Sequence, residues 1–159
     1  MDYSVRLATV EDADNIMILL ALMHEENGLF EMDYDAVRDM VTNVLNGKNG
    51  IIGVIDGEEG LEAAVCLVID KLWYAKTWCL NDVFNFVAPK YRRSTRAKSL
   101  ISFAKNYSDQ VGIPLLMGIV SNVRTEAKIK LLERQMSKAG AFFIYNHVNE
   151  NLITTYSRI

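Results

Sequence analysis

Cysteine, histidine and proline are scarce, with two of each in 159 residues. Cys66 and Cys79 both sit inside apolar, strand-like runs. Buried reduced thiols are therefore expected, rather than a disulfide or a nucleophile. His24 and His147 are far apart and lack close Cys or His neighbours, so no metal site is expected. Long apolar runs are missing too. The longest, around Ile16 to Met23, falls well short of a bilayer span, and Met1-Asp2-Tyr3 lacks the charged and apolar regions of a secretory leader. A cytosolic protein that makes no use of a membrane is expected. Nor is there an excess of positive charge: the formal net charge is −3, against the basic balance of most nucleic-acid-binding domains. With 50% hydrophobic and 23% charged residues, and no linker, repeat or low-complexity tract, the chain reads as a single domain over residues 1–159 with its own core.

Patterning supplies the elements. Ser4 to Ala8 alternates as a strand, and Thr9 with Asp12 resembles a capping box that opens a helix. Ala13, Ile16, Met17, Leu20 and Met23 form that helix's apolar face, and Asn27-Gly28 ends it. The loop residues Leu29, Phe30 and Met32 either fold back on the core or line a mouth. Tyr34 to Leu45 is a second amphipathic helix ended by Asn46-Gly47. Gly50 to Ile55 and Leu61 to Ile69 make a hairpin around Asp56 to Gly60, and Trp73 to Asn85 reads as a third antiparallel strand. A helix follows from Ser94. Leu115 to Val120 is then a short strand, and a strand-helix-strand unit predicts parallel pairing there. Glu126 to Ala139 is the last long helix, with Ile129, Leu132 and Met136 inward and Gly140 as its stop. Phe142 to Tyr145 and Leu152 to Tyr156 form a terminal hairpin around Asn149 to Asn151.

The most informative stretch is Tyr91 to Ile101. An apolar strand ending at Val87 is stopped by Pro89, and a basic, hydroxyl-rich turn then enters a helix. The first amides of a helix have no intrahelical partner, and with the macrodipole they favour an anion. Arg92, Arg93, Ser94, Thr95 and Arg96 can complete such a site, at about 1.5–3 kcal/mol for each charge-assisted hydrogen bond. Taken by itself, the run Lys90 to Lys98 also fits a solvated surface or a nucleic-acid patch. The net acidity and the lack of interleaved aromatics weigh against the latter.

In register and without a gap, Val87, Pro89, Tyr91, Arg92, Ala97, Leu100 and Ile101 match the acetyl-CoA motif of the GNAT superfamily of N-acetyltransferases, which the chain resembles here. Thr95 and Arg93 stand where that family commonly has glycine; a left-handed backbone at either would cost about 1–2 kcal/mol. The opening strand ending Arg6-Leu7-Ala8-Thr9 resembles the family as well. The order β-α-α-β-β-β-α-β-α-β-β is that of its fold, an α/β (α+β) domain with a mixed, mostly antiparallel sheet flanked by helices. The Arg92 to Ala97 wording is similar to that of GNAT-like proteins of phages and their hosts.

The resemblance implies acetyl-CoA as cofactor, held by the backbone of Asn85 and Val87 near a bulge and by Arg92, Arg93, Ser94, Thr95, Arg96 and Ala97. The implied reaction is direct transfer of acetyl to an amine of a small molecule or protein, with no nucleic-acid or membrane partner; a homodimer is compatible with it. Asp82 is the implied base, since it is the sole carboxylate between Trp78 and Val87. Its alternative role is to face solvent or bind a backbone amide. The family's tyrosine acid is replaced by Met136, leaving Tyr145 or Tyr107 as substitutes or as packing residues. The other function class is a catalytically degenerate CoA-binding or interaction module. Glu25, Glu26 and Glu31 near the loop predict an anionic mouth that favours a cationic amine, or else a solvated helix end.

Overall fold

The computed structural model describes residues 2–145. The expected strand Leu152 to Tyr156, its turn and His147 lie outside the described residues. Among the described residues, five strands form one sheet in the order β1-β2-β3-β4-β5: Arg6–Leu7, Gly50–Gly57, Gly60–Lys71, Trp78–Val87 and Leu115–Leu116. The first three pairings are antiparallel, and β4 pairs with β5 in parallel, as the strand-helix-strand unit predicts. Helices α1 (Ala13–Asn27) and α2 (Tyr34–Leu45) pack Ile16, Leu20 and Val41 on one face of the sheet. Helix α3 (Arg96–Val111) packs Leu100 and Ala104 on the other, and α4 is Thr125–Glu133.

Local chemistry explains most boundaries. The Asp33 carboxylate accepts the Ala36 amide at 3.0 Å and starts α2 one residue later. Gly112, at φ +69°, ends α3 in a left-handed turn. Gly53 sits mid-strand because the Phe103 ring of α3 lies directly upon it, where a Cβ would come within 2.6 Å. Three expected boundaries are corrected. Strand β4 begins at Trp78, because Ala75 donates to the Leu72 carbonyl at 3.0 Å and folds the preceding aromatic stretch into a turn. Strand β5 stops at Leu116 instead of Val120. Helix α4 stops at Glu133, before Met136, and none of its residues is fully buried, so little packing extends it. Phe142 to Tyr145 are exposed and not in a strand.

The feature that positions the site is in β4. Cys66 pairs with Phe84 while Leu67 pairs with Asp82, so Val83 is one extra residue. An unbroken strand would put Leu80, Phe84 and Phe86 on one face. Instead Leu80 joins the α3-side core, whereas Phe84 and Phe86 join the α1/α2 side. The bulge turns the strand over.

No helix among the described residues is long and apolar enough to cross a membrane.

Candidate active-site cleft

Strands β4 and β5 pair only at Leu80–Leu115 and Asn81–Leu116. Beyond that they part, and the gap widens into a cleft of about 780 Å³. Ala88 donates its amide to the Glu62 carbonyl of β3 at 2.9 Å. By alternation the backbone groups of Asn85 and Val87 then point toward the open edge, and the Val87 carbonyl accepts from Arg92 Nε at 3.1 Å.

Asp82 stands where the strands part. Its Oδ1 accepts the Gly118 amide at 2.9 Å, replacing the pairing that β5 no longer supplies. Burial pushes its carboxyl up to about 6, although hydrogen bonds from the Gly118 amide and its own amide pull the other way. Asp82 thus binds a backbone amide, one of the roles expected for it, and burial holds its carboxyl above the ordinary range. Cys66, across β3, is pushed up to about 12 by burial and by the charge of Asp82.

Asp82, Asn85, Val87, Arg92, Arg93, Ser94 and Ala97 line the cleft together; Thr95 and Arg96 do not. Arg96 turns toward β3, bonding Glu62 at 2.6 Å and stacking on Tyr3 at 3.8 Å. Ser94 Oγ donates to the Tyr91 carbonyl at 2.8 Å and accepts the Arg96 amide at 3.3 Å, which fixes the turn before α3. The left-handed position is Arg93, at φ +62°, while Thr95 at φ −87° carries no such strain. Arg92 crosses the mouth to Glu26 of α1 at 2.7 Å.

Residues without motif signals complete the cleft. Lys128 Nζ lies 3.4 Å from Glu26 Oε1 and donates to Ser121 Oγ at 2.7 Å. Asn27 Oδ1 accepts from Ser121 Oγ at 3.0 Å and from the Asn122 amide at 3.1 Å, so the end of α1 also grips the loop before α4. Burial tends to raise the Glu26 carboxyl, but Arg92 and Lys128 outweigh it and hold the group below its usual range. Lys128 goes down, through burial and then the nearby charges of Arg92 and Arg124, against the pull of Glu26. Arg124, at φ +52° before α4, and His24, whose Nε2 lies 2.6 Å from the Phe30 carbonyl, also line the wall. These contacts join residues up to 102 positions apart, which no local pattern encodes.

The anionic mouth is corrected. Glu26 is neutralised by two cations, and none of Glu25, Glu26 and Glu31 lines the cleft. Leu29 lines it, Met32 packs on the core and Phe30 is exposed, so the loop splits between its two expected roles. Tyr107 packs on the α3-side core and Tyr145 is exposed; among the described residues no tyrosine lines the cleft.

No protein-family model and no curated protein matches the chain. Solved structures do. A possible acetyltransferase from Clostridium difficile 630 is 20% identical, with 92% of this chain and 98% of that one covered at a TM-score of 0.68. The structure of AAC(6')-Iy in complex with the bisubstrate analogue CoA-S-monomethyl-acetylneamine is 13% identical, covering 92% and 97% at 0.70. A ribosomal-protein-alanine N-acetyltransferase from Brucella melitensis biovar Abortus 2308 is 16% identical, covering 91% and 97% at 0.65. At these identities the likeness shows the fold. It is the GNAT acetyltransferase fold that the residues from Val87 to Ile101 resemble.

Proposed function

We propose that this single domain is an acetyl-CoA-dependent N-acetyltransferase that moves acetyl to an amine by direct attack on the thioester. The observation that carries the reading is the parting of β4 from β5, which leaves an unpaired strand edge with a carboxyl of pKa about 6 at its head and cations at its mouth. The open-edge groups of Asn85 and Val87 suit an amide-bearing chain laid alongside them as an extra strand. Arg93, Ser94 and the first amides of α3 suit phosphate oxygens. Acetyl-CoA supplies the activated acyl group.

In this reading Asp82 takes the proton that the amine sheds, directly or through a water. The amine nitrogen bonds to the carbonyl carbon, the carbon–sulfur bond breaks, and the sulfur leaves with the electron pair. A carboxyl near 6 is ionised at neutral pH yet remains a usable proton acceptor. With no tyrosine among the described cleft-lining residues, no side-chain acid is assigned to the departing thiolate, which leaves with its electron pair and takes a proton from solvent.

A thermal-shift series with CoA, followed by acetyl-CoA turnover read as free thiol over a panel of amines, tests the proposal. CoA stabilisation with amine-dependent thiol release is expected. CoA binding with no turnover on any amine would favour the second reading, a binding module. No CoA binding would end both.

A further inference from the structure

The charges at the cleft mouth do not balance. Arg92 and Lys128 both contact the one carboxylate of Glu26, at 2.7 and 3.4 Å, and Arg124 is close enough to depress Lys128 electrostatically. Arg93 lines the same cleft and has no ion-pair partner among the described residues. Four cations thus line a cleft whose nearby carboxylates are Glu26, beside Arg92 and Lys128, and Asp82, at the head of the open strand edge, so positive charge remains in excess; the Lys128 and Glu26 side chains are only 29% and 12% exposed. Confined like charges repel more strongly than on an open surface, because the local dielectric is lower. A bound anion would relieve that repulsion.

Topology puts these cations on two opposed walls. Parallel neighbours β4 and β5 are each followed by a helix, so the turn before α3, with Arg92 and Arg93, and the turn before α4, with Arg124, lie at the same end of the sheet, flanking the gap. We propose that Arg124 and Lys128 form a second phosphate subsite, opposite the turn before α3, so that a ligand carrying more than one phosphate is held from both walls. Glu26 is the internal stand-in for that phosphate: it occupies Arg92 and Lys128 until the ligand replaces it. The inference names the ligand chemistry of the site read above as a CoA site, and rests on that reading only for the identity of the ligand.

The test uses inorganic pyrophosphate and CoA as separate probes, with pantetheine as the phosphate-free control, titrated into the wild type and into Arg124→Ala/Lys128→Gln. The double variant should weaken pyrophosphate and CoA at least tenfold, flatten the salt dependence of both, and leave pantetheine unchanged. Equal affinity of variant and wild type for pyrophosphate and CoA overturns the proposal, as does an equal loss for pantetheine, which would signal a damaged cleft. If pyrophosphate behaves as expected but CoA binds neither protein, the subsite stands and the acetyltransferase reading falls. A wild type that binds no probe refutes both. Glu26→Gln serves as a second variant: it should tighten pyrophosphate binding, and a weakening would count against the stand-in role.

Discussion

Helix α1 is pinned by charge at both ends, with opposite stoichiometry. At its start Arg6 lies between two carboxylates, bonding both oxygens of Asp12 at 2.9 Å and those of Asp56 at 2.6 and 2.7 Å. At its end Glu26 lies between two cations. The first cluster is closed. The guanidinium spends its donors on carboxylates and on the Leu7 carbonyl, and Asp12 also accepts the Thr9 amide at 2.7 Å. The second keeps unspent donors facing a cleft. A closed cluster is scaffold and an unbalanced one is a site, although both contain the same residue types. Asp82, with no cation bonded to it among the described residues, is a third state.

The largest expected effect isolates that third state. Asp82→Asn should lower turnover roughly 100- to 10,000-fold, the usual worth of a general base, without changing CoA affinity. Wild-type kcat/KM should rise with pH through about 6 and the variant should lack that limb; steady-state profiles of the two check it. Unchanged turnover would remove Asp82 from the chemistry.

Breaking each cluster should then separate scaffold from site. Glu26→Gln should raise CoA affinity about three- to tenfold, since each 1.4 kcal/mol of lost competition is a factor of ten. Arg6→Ala should leave CoA affinity alone and cost about 1 kcal/mol of stability, because Asp12 loses its bidentate partner but keeps the Thr9 amide while the exposed Asp56 is solvated. Calorimetric titration and urea unfolding on both variants would show whether the effects cross over.

The pH dependence of stability should run in opposite directions at the two aspartates. Arg6 holds the Asp12 carboxyl down at about 2, against an ordinary 3.8, so its contribution is present above 3.8 and fades as pH falls toward 2. Asp82 is raised, so its contribution is present below 3.8 and is lost as pH rises through about 6. Urea midpoints of Asp12→Asn should converge on wild type at low pH, and those of Asp82→Asn should exceed wild type above pH 6.

The smallest effect concerns backbone. Arg93 at φ +62° carries a strain that glycine would not, so Arg93→Gly should raise stability by about 1 kcal/mol while weakening pyrophosphate. A melting curve and a titration on one preparation suffice.

Much of this architecture was legible in the residues. Tyr34–Leu45 has the bounds its pattern predicts, because Asp33 caps it and Asn46-Gly47 stops it, both local signals. The basic turn was visible as charge before a helix. Which cations remain available was not: Arg92 and Arg96 are committed to Glu26 and Glu62, 66 and 34 positions away. Trp73 and Tyr74 misled because aromatic content resembles a strand, whereas their exposure comes from a backbone turn. The last helix misled because its periodicity found too little to pack against.

The bulge has a further consequence for Cys66. That thiol pairs opposite Phe84, beside the extra residue, is sealed from solvent, and is pushed up to about 12. A thiol-directed dye can reach it only when β3 and β4 separate locally, so in a Cys79→Ser background the labelling rate becomes a clock for that opening. Anything laid along the edge of β4 should slow the clock, and the kinetics of one buried sulfur would register occupancy of the neighbouring cleft.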